Sequence, residues 1–277
     1  MLASAAIVLT VVAFALALVA PLLGISRSIA AQVAPNRTLA YLYPSDVSDA
    51  RALWVNPAGL GRGHEASLHM DLAVGDPGTD ARLRQLTLGF NSRGLSFGYQ
   101  RDMFDGGARG HTYRLGVGAG RAGLAAGLAA AIYRGNTKGT GWDLGVVYEP
   151  DAKLTLGAVV GNVRQPVVRG VLQVATFVPS LTLKPFGPRV AFSAQGRFVA
   201  DSVIGYAVAA RLQSGGRAPL AFLMRLDTDH AFRRTALVLG LSVGRRDLFG
   251  TAASIPSGAS HVDPVDLYGV IARTVER

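Results

Sequence analysis

The stretch Arg114 to Gly135, RLGVGAGRAGLAAGLAAAIYRG, admits two readings that lead to different folds. Its centre, Gly118-Ala119-Gly120-Arg121-Ala122-Gly123, spells the glycine spacing of a dinucleotide-binding loop. Such a loop needs a strand buried on both faces before it, a helix after it and an acidic residue about twenty positions on. Asp143 stands at a suitable distance, and GLAAGLAAAI has the alanine content of a helix. The preceding segment, HTYRLGVGAG, argues the other way. It alternates His111, Tyr113, Leu115, Val117 and Ala119 with Thr112, Arg114, Gly116, Gly118 and Gly120, whereas a central parallel strand is apolar on both faces and would bury Arg114. As a hairpin turning at Arg121-Ala122-Gly123, the stretch sets Leu124, Ala126, Leu128, Ala130 and Ile132 against Ala125, Gly127, Ala129, Ala131 and Tyr133. The glycines then line a lumen or make room for a plug, where backbone is closely approached. The hairpin is the reading favoured.

The same alternation recurs along the chain. Ala66, Leu68, Met70 and Leu72 oppose Ser67, His69 and Asp71; Trp142, Leu144, Val146 and Tyr148 oppose Asp143, Gly145, Val147 and Glu149; Leu220, Phe222, Met224 and Leu226 oppose Ala221, Leu223, Arg225 and Asp227. Turn clusters such as GDPGTD, NSRG, DGGARG and EPDAK separate the runs. Period alone does not separate a soluble β-sandwich from a membrane barrel, which turns its apolar face to lipid. Segments of about ten residues match a tilted strand that crosses a bilayer. The polar face is rich in Gly, Ser, Thr and Ala, where a water-facing sheet carries more Lys and Glu. The fold expected is an all-β, transmembrane antiparallel barrel of roughly 12–14 strands. Pro179 predicts a kink or bulge in its strand.

Composition agrees. Of 277 residues 49% are hydrophobic and 17% charged, with 34 glycines and no cysteine, so the apolar content is dispersed. The formal charge of +10 comes almost wholly from arginines near the ends of apolar runs, a headgroup-facing or solvated position that does not suggest nucleic acid. The N-terminus has an apolar core from Ala5 to Ile25 and small residues before Gln32. Residues 1–31 therefore read as a secretory signal, with an uncleaved helical anchor as the alternative. Residues 32–63 form a plug or periplasmic segment and 64–277 the barrel in this division.

DARALWVNPAGLG is not explained by alternation. The run Asn56-Pro57-Ala58-Gly59-Leu60, just ahead of the first strand of an exported chain, resembles the N-terminal signature of the FadL-like, long-chain fatty acid transporter type of outer-membrane barrel, with its secretion-system and peptidase-attached relatives. The matched motif covers Asp49 to Gly61. The resemblance implies a plug inside a roughly fourteen-stranded barrel, with Trp54, Asn56, Pro57, Ala58, Gly59 and Leu60 as plug or binding residues and Ala50 to Val55 as a short helical turn. It also implies passive transport of small hydrophobic compounds such as fatty acids, which leave through a kinked strand into lipid. Physically, Pro57 fixes its own backbone and Asn56 can close a local turn. The expected partners are outer-membrane lipids and lipopolysaccharide, a hydrophobic small molecule, and the barrel-assembly machinery during insertion. The chain is short for such transporters, leaving little for long external loops, and ends ARTVER where such barrels close on an aromatic residue. These departures keep a non-transporting structural or interaction barrel as the alternative.

No constellation points to catalysis, a cofactor or a metal. His64 and His69 are five apart and face opposite ways on a strand, and cysteine ligands are missing. Ser67, His69 and Asp71 share a face, but neighbours two apart on a strand lie about 7 Å from each other, beyond direct hydrogen bonding. Lumen polarity is the reading of Ser67, His69, Asp71, Arg114, Asp143, Arg225 and Asp227. Asp227, Asp229 and His230 are also expected at a turn.

Overall fold

The computed structural model describes residues 39–63, 65–75, 81–103, 109–135, 139–168, 171–200, 202–259 and 261–274. The signal or anchor call on residues 1–31, and His64, lie outside them. The chain from Leu39 first crosses the barrel interior, forming the one-turn helix α1 (Ala52–Val55) and a 3-10 turn (Pro57–Gly61). Then come β1 (Glu65–Gly75), β2 (Arg82–Ser92), β3 (Leu95–Met103), β4 (Arg109–Arg121), β5 (Leu124–Gly135), β6 (Gly139–Asp151) and β7 (Leu154–Gly161). A small hairpin of β8 (Val167–Val168) and β9 (Val171–Leu172) intervenes. The chain continues through β10 (Thr176–Leu183), β11 (Val190–Val199), β12 (Ser202–Gln213), β13 (Leu220–Asp229), β14 (Arg234–Val243), β15 (Phe249–Pro256) and β16 (Val265–Thr274).

All strands except β8 and β9 form one closed antiparallel barrel of fourteen strands. Closure comes from β1 pairing with β16, from Glu65↔Thr274 to Val74↔Val265, so no edge is left with unsatisfied backbone groups. The stretch Arg114 to Gly135 is a hairpin. Gly118 pairs with Gly127, and the turn places Ala122 at φ 52° and Gly123 at φ 80°. Two residues at positive φ give the type I′ turn whose twist suits a hairpin, and Gly123 takes its conformation without steric cost.

The alternation sorts the faces as expected. Leu68, Leu124, Leu144, Val146, Phe222 and Met224 are exposed outward, while Ala125, Ala129, Ala131 and Val147 are buried inward. An exposed apolar face costs about 25 cal/mol per Å² in water and is at home against acyl chains. Arg114 is nevertheless buried, which corrects one step in the argument against a dinucleotide loop: a barrel strand buries it too, beside Asp143. Alternation, not the burial of Arg114, decides between the readings. Pro179 lies in β10 opposite Ala158 of β7, while pairing to β11 skips from Phe177↔Phe198 to Ser180↔Gln195. The missing N–H interrupts one ladder without shifting its register, so the expected bulge is not formed. Asp227 lies within β13 rather than in a turn, whereas Asp229 ends that strand and accepts the Ala231 and Arg233 N–H groups of the turn that His230 enters, as expected. Near one mouth, Val168 packs on Ala131 and Tyr133, so the small hairpin folds over the interior.

Candidate functional site

The site is the plug and the interior wall that holds it. Its middle is locally determined. Asn56 has extended backbone, φ −156° and ψ 106°, and its Oδ1 accepts from the Ala58 N–H at 3.1 Å, capping the turn that Pro57 begins. The Asn56 Nδ2 donates to the Pro44 carbonyl at 2.9 Å and to the Val146 carbonyl of β6 at 3.2 Å. One side chain therefore ties the plug to itself and to the wall. Ala52, Leu53, Ala58 and Leu60 are fully buried, and Val47, Ala52, Leu53 and Leu60 form an apolar cluster with Ala129 of β5.

Wall glycines make that packing possible. A Cβ on Gly127 would lie 2.2 Å from the Pro57 carbonyl oxygen, and one on Gly145 would lie closer still to the Asn56 side chain. The two glycines pair across β5 and β6. Gly127 answers the question that the Arg114–Gly135 stretch raised: there the strand admits plug backbone, which no larger residue allows.

Polar ties reach the rest of the wall. The Arg114 guanidinium donates to Asp143 at 2.6 Å and to the Leu53 carbonyl at 3.0 Å, with its carbon 5.1 Å from the Trp54 ring centroid. Arg225 donates to Asp227 at 2.9 Å and to the Ala40 carbonyl at 3.1 Å, and lies over the Tyr43 ring. Ser67 Oγ accepts from the Ala50 N–H at 2.9 Å. Tyr41 donates to Asp71 at 2.8 Å, has His69 Nε2 at 3.3 Å, and stacks on Tyr268 with ring centroids 3.8 Å apart. Ser67, His69 and Asp71 thus each meet the plug. Among the described residues no group of three His, Asp or Glu side chains converges as metal ligands do.

Sequence reasoning missed one buried ionic tie. Arg51, in the plug, binds Asp49 at 2.7 Å and Asp247 at 3.0 Å, and all three are buried. Asp247 sits in the turn between β14 and β15 and also accepts from Ser242 Oγ at 2.6 Å and from Arg211. Burial pushes both carboxyls up, but Arg51 beside them outweighs it and holds Asp49 and Asp247 below the usual carboxylate range. A lone Arg two residues after Asp49 in an apolar run was the available signal; its partner, far along the chain, had none.

The same turn borders an irregular seam. The β15–β16 pairing runs only from Gly250↔Tyr268 to Ala253↔Val265. Beyond it, Val270 donates its N–H to the Asp247 carbonyl of the turn at 3.1 Å. Outside this seam lies a largely apolar groove of about 620 Å³, lined by Met70, Phe90, Leu248, Phe249 and Ile271, with His69 and Tyr268 also bordering it. Position 269 bears only a glycine there.

The fold and site define a plugged, fourteen-strand transmembrane β-barrel, the architecture that the FadL-like resemblance at Asn56–Leu60 implied. No protein-family model and no curated protein matches the sequence. Among solved structures, the chain resembles the CymD monoaromatic hydrocarbon channel, at 12% identity and TM-score 0.52 over 83% of this chain and 94% of that one. It also resembles the Ralstonia pickettii toluene transporter TbuX, at 13% identity and TM-score 0.52 over 84% of this chain and 98% of that one. At such identities the likeness is one of fold.

Proposed function

We propose that the protein is a passive transporter or channel of the cell outer membrane for small hydrophobic compounds, such as monoaromatic hydrocarbons or fatty acids, and not an enzyme. The observation that carries this reading is the seam beside β15. An apolar groove open to the lipid side is bordered by Tyr268, and the plug residue Tyr41 stacks on that ring within the lumen. A compound soluble in lipid has a reason to partition into such a groove, and displacing the plug's N-terminal part connects it with the interior. The fold shared with CymD and TbuX supports the reading. Outer-membrane lipids, lipopolysaccharide and the barrel-assembly machinery are the partners that it entails.

A second reading, a structural or interaction barrel without transport, is favoured by how fully the plug is seated. The cavity between Tyr41, Ser242 and Asp247 measures about 20 Å³, room for a single water. Uptake separates the two. Liposomes holding the protein should accumulate toluene or a fatty acid faster than empty liposomes; equal rates for both compounds overturn transport.

A further inference from the structure

The joints between barrel strands alternate between two rims. At one rim lie the turns β2–β3, β4–β5, β6–β7, β10–β11, β12–β13 and β14–β15, together with the start of β1 and the end of β16. Five of these joints carry a lysine or arginine, and at the sixth β4 ends on Arg121. Among the described residues the acids of this rim are engaged: Glu65 pairs with Arg246, Glu149 with Arg62 and Asp46 with Lys184. Asp247 turns inward to Arg51, and Asp151 caps the backbone N–H groups of Lys153 and Leu154. Arg121, Lys153, Arg189, Arg217, Arg245 and Arg273 remain exposed, with no salt bridge among the described residues.

Their height is set by the neighbouring apolar belt. Exposed Leu124 follows Arg121, Leu220 follows Arg217, Val243 and Leu248 flank Arg245, and Ile271 precedes Arg273. Each cation thus lies one to three residues beyond a side chain suited to acyl chains, where a bilayer places its phosphates. Five of the six are arginines, whose planar guanidinium takes two phosphate oxygens at once. We infer that this rim binds the phosphates of anionic glycerophospholipids, gathering a shell of them around the barrel. The inference rests on the membrane fold and not on the transport reading.

The test uses the full chain reconstituted in phosphatidylcholine with spin-labelled phosphatidylglycerol or phosphatidylcholine, reading the fraction immobilised at the barrel perimeter. About fivefold selectivity for phosphatidylglycerol is expected at low salt, collapsing towards one at about 1 M salt as the charges are screened. R121Q/R189Q/R217Q/R245Q should lose most of the selectivity, whereas R134Q/R234Q at the opposite rim should keep it. Equal immobilisation of the two lipids, selectivity that survives high salt, or loss only in the opposite-rim variant overturns the inference. So does selectivity seen with added lipopolysaccharide but not with phosphatidylglycerol. If the fourfold variant fails to fold, the salt titration of the unmodified chain decides.

Discussion

Replacing Gly127 with alanine tests whether the plug is seated as described. The new Cβ would stand 2.2 Å from the Pro57 carbonyl oxygen, 2.3 Å from its carbon and 2.5 Å from the Ala58 nitrogen, where ordinary contact begins at 3.4 Å. The obstacle is plug backbone, which has no rotamer to move aside, so the Pro57–Ala58 segment must shift by roughly 1 Å. Overpacking of this kind costs about 1–3 kcal/mol. The shift also strains the adjoining Asn56 bonds to Pro44 and Val146, each worth about 1 kcal/mol. Against this, removing a glycine from a strand contributes about 0.4–1 kcal/mol through the unfolded chain. The balance, about 2–3 kcal/mol, falls on plug seating and leaves the wall ladder intact. Without a plug at this place the same substitution would be neutral or stabilising, so the sign is diagnostic. The heat-shifted band on gels should persist, while the plug becomes more sensitive to protease and single-channel conductance rises in planar bilayers. Gly161→Ala, whose Cβ meets nothing closer than 3.4 Å, is the control. Unchanged protease protection and conductance in Gly127→Ala would refute the steric argument.

Asn56→Asp keeps the shape of the side chain but replaces its donating amide with an acceptor, so the Pro44 and Val146 carbonyls lose their donor and face a carboxylate. The expected loss is about 2–4 kcal/mol of plug seating, read as protease sensitivity; protection equal to that of the unmodified chain would contradict it. Acid should act through Asp49 and Asp247. Their folded pKa values lie below the ordinary value of about 4, so their stabilisation is complete above that pH and is lost as pH falls through the depressed values. Plug protection should stay flat from pH 7 to about 4 and decline below, with a smaller decline in Asp247→Asn; a fall already complete at about pH 5 would assign the effect to other groups.

Much of the molecule was legible as a one-dimensional pattern. The two-residue period of a strand is a property of the backbone, so alternation sorted the side chains into two faces and told that Gly118 to Gly123 turn a hairpin; strand length and the small, sparsely charged polar face then assigned the apolar face to lipid. The Asn-Pro turn at Asn56 is likewise local, with cap and ring acting within three residues, and α1 falls inside the turn expected from Ala50 to Val55. Strand length was less legible. Asp227 looks like a turn residue by type, yet the ladder to β12 runs past it to Gly205↔Asp229 and holds it in β13.

The sequence by itself determined the strands, their two faces and their turns, because period and turn chemistry are written in neighbouring residues; the plug was implied by the resemblance of Asn56–Leu60 to FadL-like barrels. Only the tertiary structure decided what the plug touches. Arg51 and Asp247 stand 196 residues apart, and Ser45 and Thr182, bonded at 2.8 Å, stand 137 apart. Such partners meet only when closure of β1 on β16 fixes the register of every strand around the ring. The short β15–β16 pairing, and the groove beside it, follow from that same register: β15 begins only at Phe249, and β16 runs on past Tyr268. No local pattern encodes a mismatch between strands, since it is a difference between two lengths brought together by folding.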